Sequence, residues 1–235
     1  MRTRIAASRV ARREVTLRMR DGSSLRCRIA DSGGPLSVYV DRDYDIPGFD
    51  WSKAGCILDI GAHVGSFTVW ASRRAPRARL VAVEPNPQTY DLLLRNIHAN
   101  GLNDRAVTLR AALGAEEGVA HLERLEHSLG TRLVRTTAPA DAPLVGVRTL
   151  RDLLAQTGAS EIDFLKIDCE GQEYEVFGSL EPDLLRSVRA VACEYHPEPG
   201  QDVSVLESVL RDAGFEVVRP DSSLGVLWAT RRANR

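Results

Sequence analysis

From residue 56 onward the apolar positions fall into short unbroken runs separated by segments of helical period. Runs at Ile57–Ile60, Leu80–Val83, Val107–Ala112, 162–168 (IDFLKID) and Val188–Cys193 read as buried strands. Between them, Gly65–Ala75, Pro87–Asn100, Thr149–Gln156, Glu173–Leu180 and Val203–Ala213 read as helices. The second of these places Tyr90, Leu93, Leu94 and Ile97 on one face and is closed by Gly101; the last places Val205, Leu206, Val209 and Leu210 inward and stops at Gly214. Two final strands, Phe215–Arg219 and Gly225–Thr230, are joined by PDSSL, a link short enough only for an antiparallel pair. Strands alternating with helices imply an α/β fold whose parallel sheet is covered on both faces.

Before residue 56 the pattern differs. Residues 15–29 alternate around Asp21-Gly22, which predicts a β-hairpin. The stretch 30–54 is irregular and carries Tyr39, Tyr44, Phe49 and Trp51, which either pin a loop to the domain edge or wall a substrate pocket as a cap. The chain therefore divides into an N-terminal extension, 1–54, and a main domain, 55–235. Val119–Leu122 reads as a strand, but SLGTRLVRTTAPADAPLVGV has no helical period and several breakers, so the segment 115–147 is expected to be an irregular insert of functional use.

Composition narrows the class. The 235 residues are 43% hydrophobic and 27% charged, with a formal net charge of -1. That balance suits a globular protein and gives no electrostatic reason to expect nucleic acid. No apolar run approaches the length that crosses a bilayer, and the basic start, MRTRIAASRVARRE, lacks the apolar core of a secretory signal. A cytoplasmic protein without membrane partners is expected. Cys27, Cys56, Cys169 and Cys193 are too scattered for a CxxC site and read as inert packing residues. The hairpin's open edge could pair with a second copy of the chain, making a homodimer.

The chemistry gathers where strands end. In an open α/β sheet ligands bind beyond the carboxyl ends of the strands, which here carry Asp59, Glu84, Asp168 and Glu194. Four carboxylates at one rim call for a cationic ligand or a metal. After the first run comes a tight turn, Gly61-Ala62-His63-Val64-Gly65, leading into a helix. It lacks GxGxxG, the pyrophosphate-cradling pattern of nicotinamide sites. S-adenosylmethionine has no pyrophosphate, but it has a sulfonium, an ammonium and a ribose diol. Asp59 would face its methionine end, and Glu84 would accept from both ribose hydroxyls.

The ordered blocks DIGAHVGSFT, VAVEPNPQTYDLLLRNIHAN, LRAALGAEEG, VRTLRDLL and FLKIDCEGQEYEVFGSL, spread over about residues 56–218, resemble the FkbM family of methyltransferases that use S-adenosylmethionine. That resemblance implies a class I, Rossmann-like fold with strand order 3-2-1-4-5-7-6 and the last strand reversed. It also implies O-methylation of sugars or natural products, with S-adenosylhomocysteine as the product. The residues implied for the cofactor are Asp59, Gly61, Ala62, His63, Gly65, Thr68, Glu84, Ala112 and Asp168. Two positions depart from the family pattern. His63 stands where Asn is usual in DxGANxG, and Arg151 replaces the Asp of TLD, with Asp152 one place on.

Methyl transfer to a hydroxyl needs the acceptor in line with the S–CH3 bond and a base for its proton. Asp168 and Glu170 in KIDCEGQE are candidates, acting directly or through Mg2+ held by Asp168, Glu170 and Glu194. Glu194 and His196, two apart at a strand end, are further candidates, while Glu173 reads as a cap or a solvent-facing residue. His98 reads as a surface residue, and His121 and His127 flank the insert. N-methylation of a protein or amide side chain, or a non-catalytic binding module, are the alternative functions.

Overall fold

The computed structural model describes residues 11–124, 131–134, 142–196, 198–222 and 224–231. His127 and most of the segment between residues 125 and 141 lie outside these. The chain opens with β1 (Glu14–Arg18) and β2 (Ser24–Arg28), antiparallel about Asp21-Gly22 with Glu14 opposite Arg28. Residues 29–41, expected to be irregular, are instead helical turns that include α1 (Gly33–Leu36).

The main sheet begins with β3 (Cys56–Ile60), followed by α2 (Ser66–Arg74), β4 (Arg79–Val83), α3 (Pro87–Ala99) and β5 (Ala106–Leu109). Four strands come next: β6 (Ala112–Leu113), β7 (Gly118–Arg124), β8 (Thr131–Val134) and β9 (Leu144–Arg148). Then come α4 (Leu150–Thr157), β10 (Ile162–Asp168), α5 (Glu173–Ser179), α6 (Pro182–Arg186) and β11 (Val188–Glu194). The chain closes with α7 (Val203–Asp212), β12 (Glu216–Val218) and β13 (Val226–Thr230).

Seven strands form one sheet in the order β12-β13-β11-β10-β3-β4-β5. Numbered along the main domain this is 3-2-1-4-5-7-6, and β13 runs antiparallel to both of its neighbours. The strand ends that carry Asp59, Glu84, Asp168 and Glu194 are thereby brought to one edge.

Three details differ from the sequence reading. The run Val107–Ala112 is two strands: the chain leaves the main sheet after Leu109, and Ala112–Leu113 pairs with β9 in a second sheet, ordered β6-β9-β7-β8. The insert thus holds regular structure that local pattern hid, because its strands are short and pair within a small second sheet rather than in the main one. On α3, Leu92 is buried while Leu94 is exposed, and on α7 Val205 is exposed while Glu207 is buried. Glu207 is buried with its charge met by Arg211 (2.7 Å) and Arg219 (2.8 Å).

The N-terminal residues are built into this frame. The side chains of Asn96 and Asn100, one turn apart on α3, bond the backbone of β2 as a neighbouring strand would. Asn96 accepts from Arg26 N (2.7 Å) and donates to its carbonyl (2.8 Å), and Asn100 does the same with Ser24. Trp51 sits edge-on to Trp70 (5.0 Å) and tilted against Phe164 (4.6 Å), tying residues 49–54 to the core. Phe49 and Trp51 pin the segment, and Tyr44 lines a cavity. Among the described residues no helix is long and apolar enough to cross a membrane.

Candidate active site

The turn after β3 has little freedom. Gly61 has φ +69°, and a side chain there would meet the Asp168 carbonyl at 1.9 Å; Gly65 has φ +85° and packs on Leu93. His63 also lies in the left-handed region, at φ +53°. Asn tolerates that conformation better than most residues, a physical reason for Asn at the family position. Here the fold holds His63 there by its own N–H, which donates to Glu84 Oε2 at 2.8 Å.

Above this turn lies a cavity of about 580 Å³, within the range of small-molecule sites. Gly61, Ala62, His63, Glu84, Asn86 and Thr89 line it, and Ala112, Leu113 and Leu133 of the second sheet, with Ala111 beside them, give it apolar surface. Tyr44, Lys166, Asp168, Glu170, Glu194 and His196 supply its charged and phenolic groups, and Gly33, Gly34, Val38 and Asp41 bring the N-terminal segment into the lining. Asp59 and Thr68 do not line the cavity. They are bonded to each other beneath it, Thr68 donating to Asp59 Oδ2 at 2.5 Å, and Gly65 likewise serves packing.

Glu84 is buried at the cavity wall. Its Oε1 accepts from Asn86 N (2.8 Å) and Thr89 Oγ1 (2.7 Å), and its Oε2 from His63 N. A carboxylate offers about four acceptor positions, so one remains on Oε2. The site leaves Glu84 room for one further hydroxyl rather than two.

Lys166, which sequence reasoning passed over, lies at the centre of the charge pattern. It is 3% exposed, donates to the Gly61 carbonyl (2.7 Å) and the Ile60 carbonyl (3.2 Å), and lies 3.5 Å from Asp59 and 3.4 Å from Asp168. Burial would lower its pKa, but Asp168, Asp59 and Glu194 hold it above its ordinary value. A lysine interrupting an apolar strand between two acidic strand ends was the available signal.

Glu173 is fully buried rather than solvent-facing. It caps the turn before α5 by accepting from Cys169 N (2.8 Å) and Gly171 N (2.9 Å), and its Oε1 also bonds His196 Nδ1 (3.1 Å). The other imidazole nitrogen faces Glu170 (3.3 Å) and Glu194 (3.7 Å). Burial would lower the His196 pKa, but Glu173, Asp168 and Glu170 raise it to about 9, so at neutrality the ring is a cation. Glu194 moves the opposite way: burial and the nearby Asp168 push it up to about 7, against the pull of Tyr44, His196 and Lys166. Burial and Asp168 likewise raise Glu170.

These commitments bear on a metal. Among the described residues, Asp168, Glu173 and His196 bring one ligand atom each within 4.8 Å of one another. Glu173 is spent on backbone N–H groups and His196 is paired with carboxylates, whereas Mg2+ takes oxygen ligands in near-octahedral geometry. Glu194 and Glu170 are engaged by Tyr44 and His196. This donor set does not suit Mg2+.

What the cavity does lack is partners for some of its polar atoms. Among the described residues, Asp168 Oδ1, Ser66 Oγ and His63 Nε2 are buried without a hydrogen-bond partner, and all three residues line the cavity. Such atoms are costly unless a polar ligand meets them.

Comparison with known proteins decides the family. A model of the methyltransferase FkbM domain matches residues 59–217. The chain belongs to the FkbM methyltransferase family. It is 27% identical over 212 residues to methyltransferase sdnD of Sordaria araneosa, covering 77% of this chain and 81% of that protein. It is 26% identical over 239 residues to the 31-O-demethyl-FK506 methyltransferase FkbM of Streptomyces tacrolimicus, covering 89% and 92%. The solved methyltransferase FkbM from Methylobacillus flagellatus KT shares the fold, with a TM-score of 0.54 at 15% identity over 75% of this chain and 43% of that one.

This FkbM methyltransferase also uses residues from before the matched domain. Asp31 accepts from Arg28 (2.5 Å) and lies 3.7 Å from His63. Burial would raise its pKa, yet His63 and Arg28 lower it to about 2. No local signal marks Asp31 as a site residue, because His63 is remote from it in sequence. The departure near residue 150 leaves the helix start capped: Thr149 and Asp152 form a capping box on α4.

Proposed function

We propose that this methyltransferase moves the methyl group of S-adenosylmethionine onto a hydroxyl of a small molecule or sugar. The observation that carries the reading is Glu84, a buried carboxylate at the cavity wall with one acceptor position left for a ribose hydroxyl. When bound, the donor supplies an electrophilic methyl carbon on a sulfonium. Asp168, whose Oδ1 lacks a partner, and Glu194 give that end of the cavity the negative charge a sulfonium and an ammonium need. The apolar wall of Ala111, Ala112 and Leu113 offers a flat surface for an adenine.

The acceptor's proton goes to Glu194. A base works best with a pKa near the working pH, and Glu194 is the carboxylate pushed up to about 7. His196, cationic at neutrality, serves instead to hold Glu170 in place, its other nitrogen being tied to Glu173. Lys166 offsets Asp59 and Asp168 without leaving the strand. The similarity to a protein named for 31-O-methylation of a natural product supports oxygen as the acceptor atom.

Incubation with S-adenosylmethionine and a panel of hydroxyl-bearing acceptors, read by mass spectrometry, tests this. The expected result is S-adenosylhomocysteine together with a product heavier by one CH2 on oxygen. A product methylated only on nitrogen would contradict it.

A further inference from the structure

We propose that Tyr44, which precedes the matched family domain, is a positioning residue that holds one oxygen of Glu194 and leaves the other to face the acceptor. Its hydroxyl donates to Glu194 Oε2 at 2.6 Å across 150 residues of sequence. Tyr44 is 4% exposed and sits edge-on to Phe67 at 5.6 Å, so its ring has no room to swing away. The neighbouring backbone is fixed from two further elements. Asp43 accepts from Ser222 Oγ (2.5 Å), and its carbonyl accepts from Trp228 Nε1 (2.7 Å); Asp45 accepts from Trp51 Nε1 (3.2 Å). A residue clamped this firmly onto a cavity-lining carboxylate is doing more than filling space.

The groups around Glu194 explain why a neutral donor is needed there. Lys166 and Asp168 face it from β10 and His196 from beyond β11, while Asp59 faces Tyr44 from β3. The two cations are shared: Lys166 lies between Asp59 and Asp168, and His196 bonds Glu173 and faces Glu170, with Glu194 Oε1 farther off at 3.7 Å. Neither cation lies within hydrogen-bond distance of Glu194, and Tyr44 supplies the directed bond. Burial and the surrounding carboxylates keep its phenol protonated well above the ordinary range, so it remains a donor at any working pH. The N-terminal segment then completes the catalytic site, although it lies outside the family domain.

The catalytic half of this inference rests on Glu194 as the base, so the test separates the two. In protein carrying 13C-labelled glutamate, the Glu194 carboxyl is assigned by its loss in Glu194→Gln and titrated by NMR without cofactor or acceptor. Tyr44→Phe keeps the ring and removes the donor. The Glu194 midpoint should rise from about 7 by about one pH unit, the effect of losing one bond to a charged group. With an acceptor from the mass-spectrometric panel, kcat should fall roughly tenfold while S-adenosylhomocysteine affinity stays the same. An unmoved Glu194 midpoint would overturn the role of Tyr44. If Glu194→Gln retained full turnover while the midpoint shift was present, the hold would stand and the assignment of Glu194 as base would fall.

Discussion

Lys166→Met removes a cation that two carboxylates, Asp59 and Asp168, share. Each contact, at 3.4–3.5 Å, is worth about 5 kcal/mol of gross attraction at an effective dielectric near 20, most of it offset by the desolvation of the charges. Methionine fills nearly the same space, so the loss is electrostatic rather than a cavity. Removing one partner of a buried pair leaves an uncompensated charge and costs about 3–5 kcal/mol. Asp59, 1% exposed and left with only the Thr68 hydroxyl, would carry most of that cost.

Urea denaturation at pH 7 should therefore show the midpoint falling at an unchanged slope. The sign with pH also follows. Burial already raises the Asp59 pKa against the pull of Lys166, and without the lysine it rises further above its unfolded value. The penalty is thus present at high pH and disappears as pH falls through the raised pKa. Adding Asp59→Asn to Lys166→Met should recover more than half of the loss. A cost below about 1 kcal/mol at pH 7, or one that is the same at pH 5, would refute this account of the buried charges.

Two further outcomes follow from the geometry. His196 binds its proton more tightly folded than unfolded, so its contribution is complete below about 6.5 and is lost as pH rises through about 9, on the order of 3 kcal/mol in all; His196→Gln should flatten the fall in urea midpoint between pH 6 and 10, and an equally steep fall in the variant would rule the source out. Gly61→Ala should cost more than about 3 kcal/mol or prevent folding, because its Cβ would lie 1.9 Å from the Asp168 carbonyl, whereas Gly22→Ala, at φ +84° with open space around it, should cost only about 1–2 kcal/mol of backbone strain; similar thermal midpoints for the two variants would sink the distinction.

The main sheet was legible because each strand is a continuous apolar run bounded by a helix with its own stop signal. The positions of Glu84, Asp168 and Glu194 followed from that frame, since Asp168 and Glu194 end strands whose order was anticipated and Glu84 directly follows another. The second sheet was not legible. Leu133 and Val145 are core residues of a small cluster of their own, and their strands find partners within that second sheet rather than in the main one. Roles inside the site were harder to read than positions. Asp59 ends a strand like Glu84 does, yet Lys166 and Thr68 draw it below the cavity floor. His63 and Asp31, or Tyr44 and Glu194, meet only after the N-terminal segment folds over the main sheet, and no spacing rule joins residues so far apart.

Glu84 carries the central claim, and calorimetric titration of S-adenosylhomocysteine into the parent protein and Glu84→Ala tests it directly. The account predicts measurable binding to the parent and a dissociation constant raised on the order of tenfold to a hundredfold in the variant, the loss of one bond from a hydroxyl to a buried carboxylate. A dissociation constant unchanged by the substitution, or no binding to the parent at all, would contradict it.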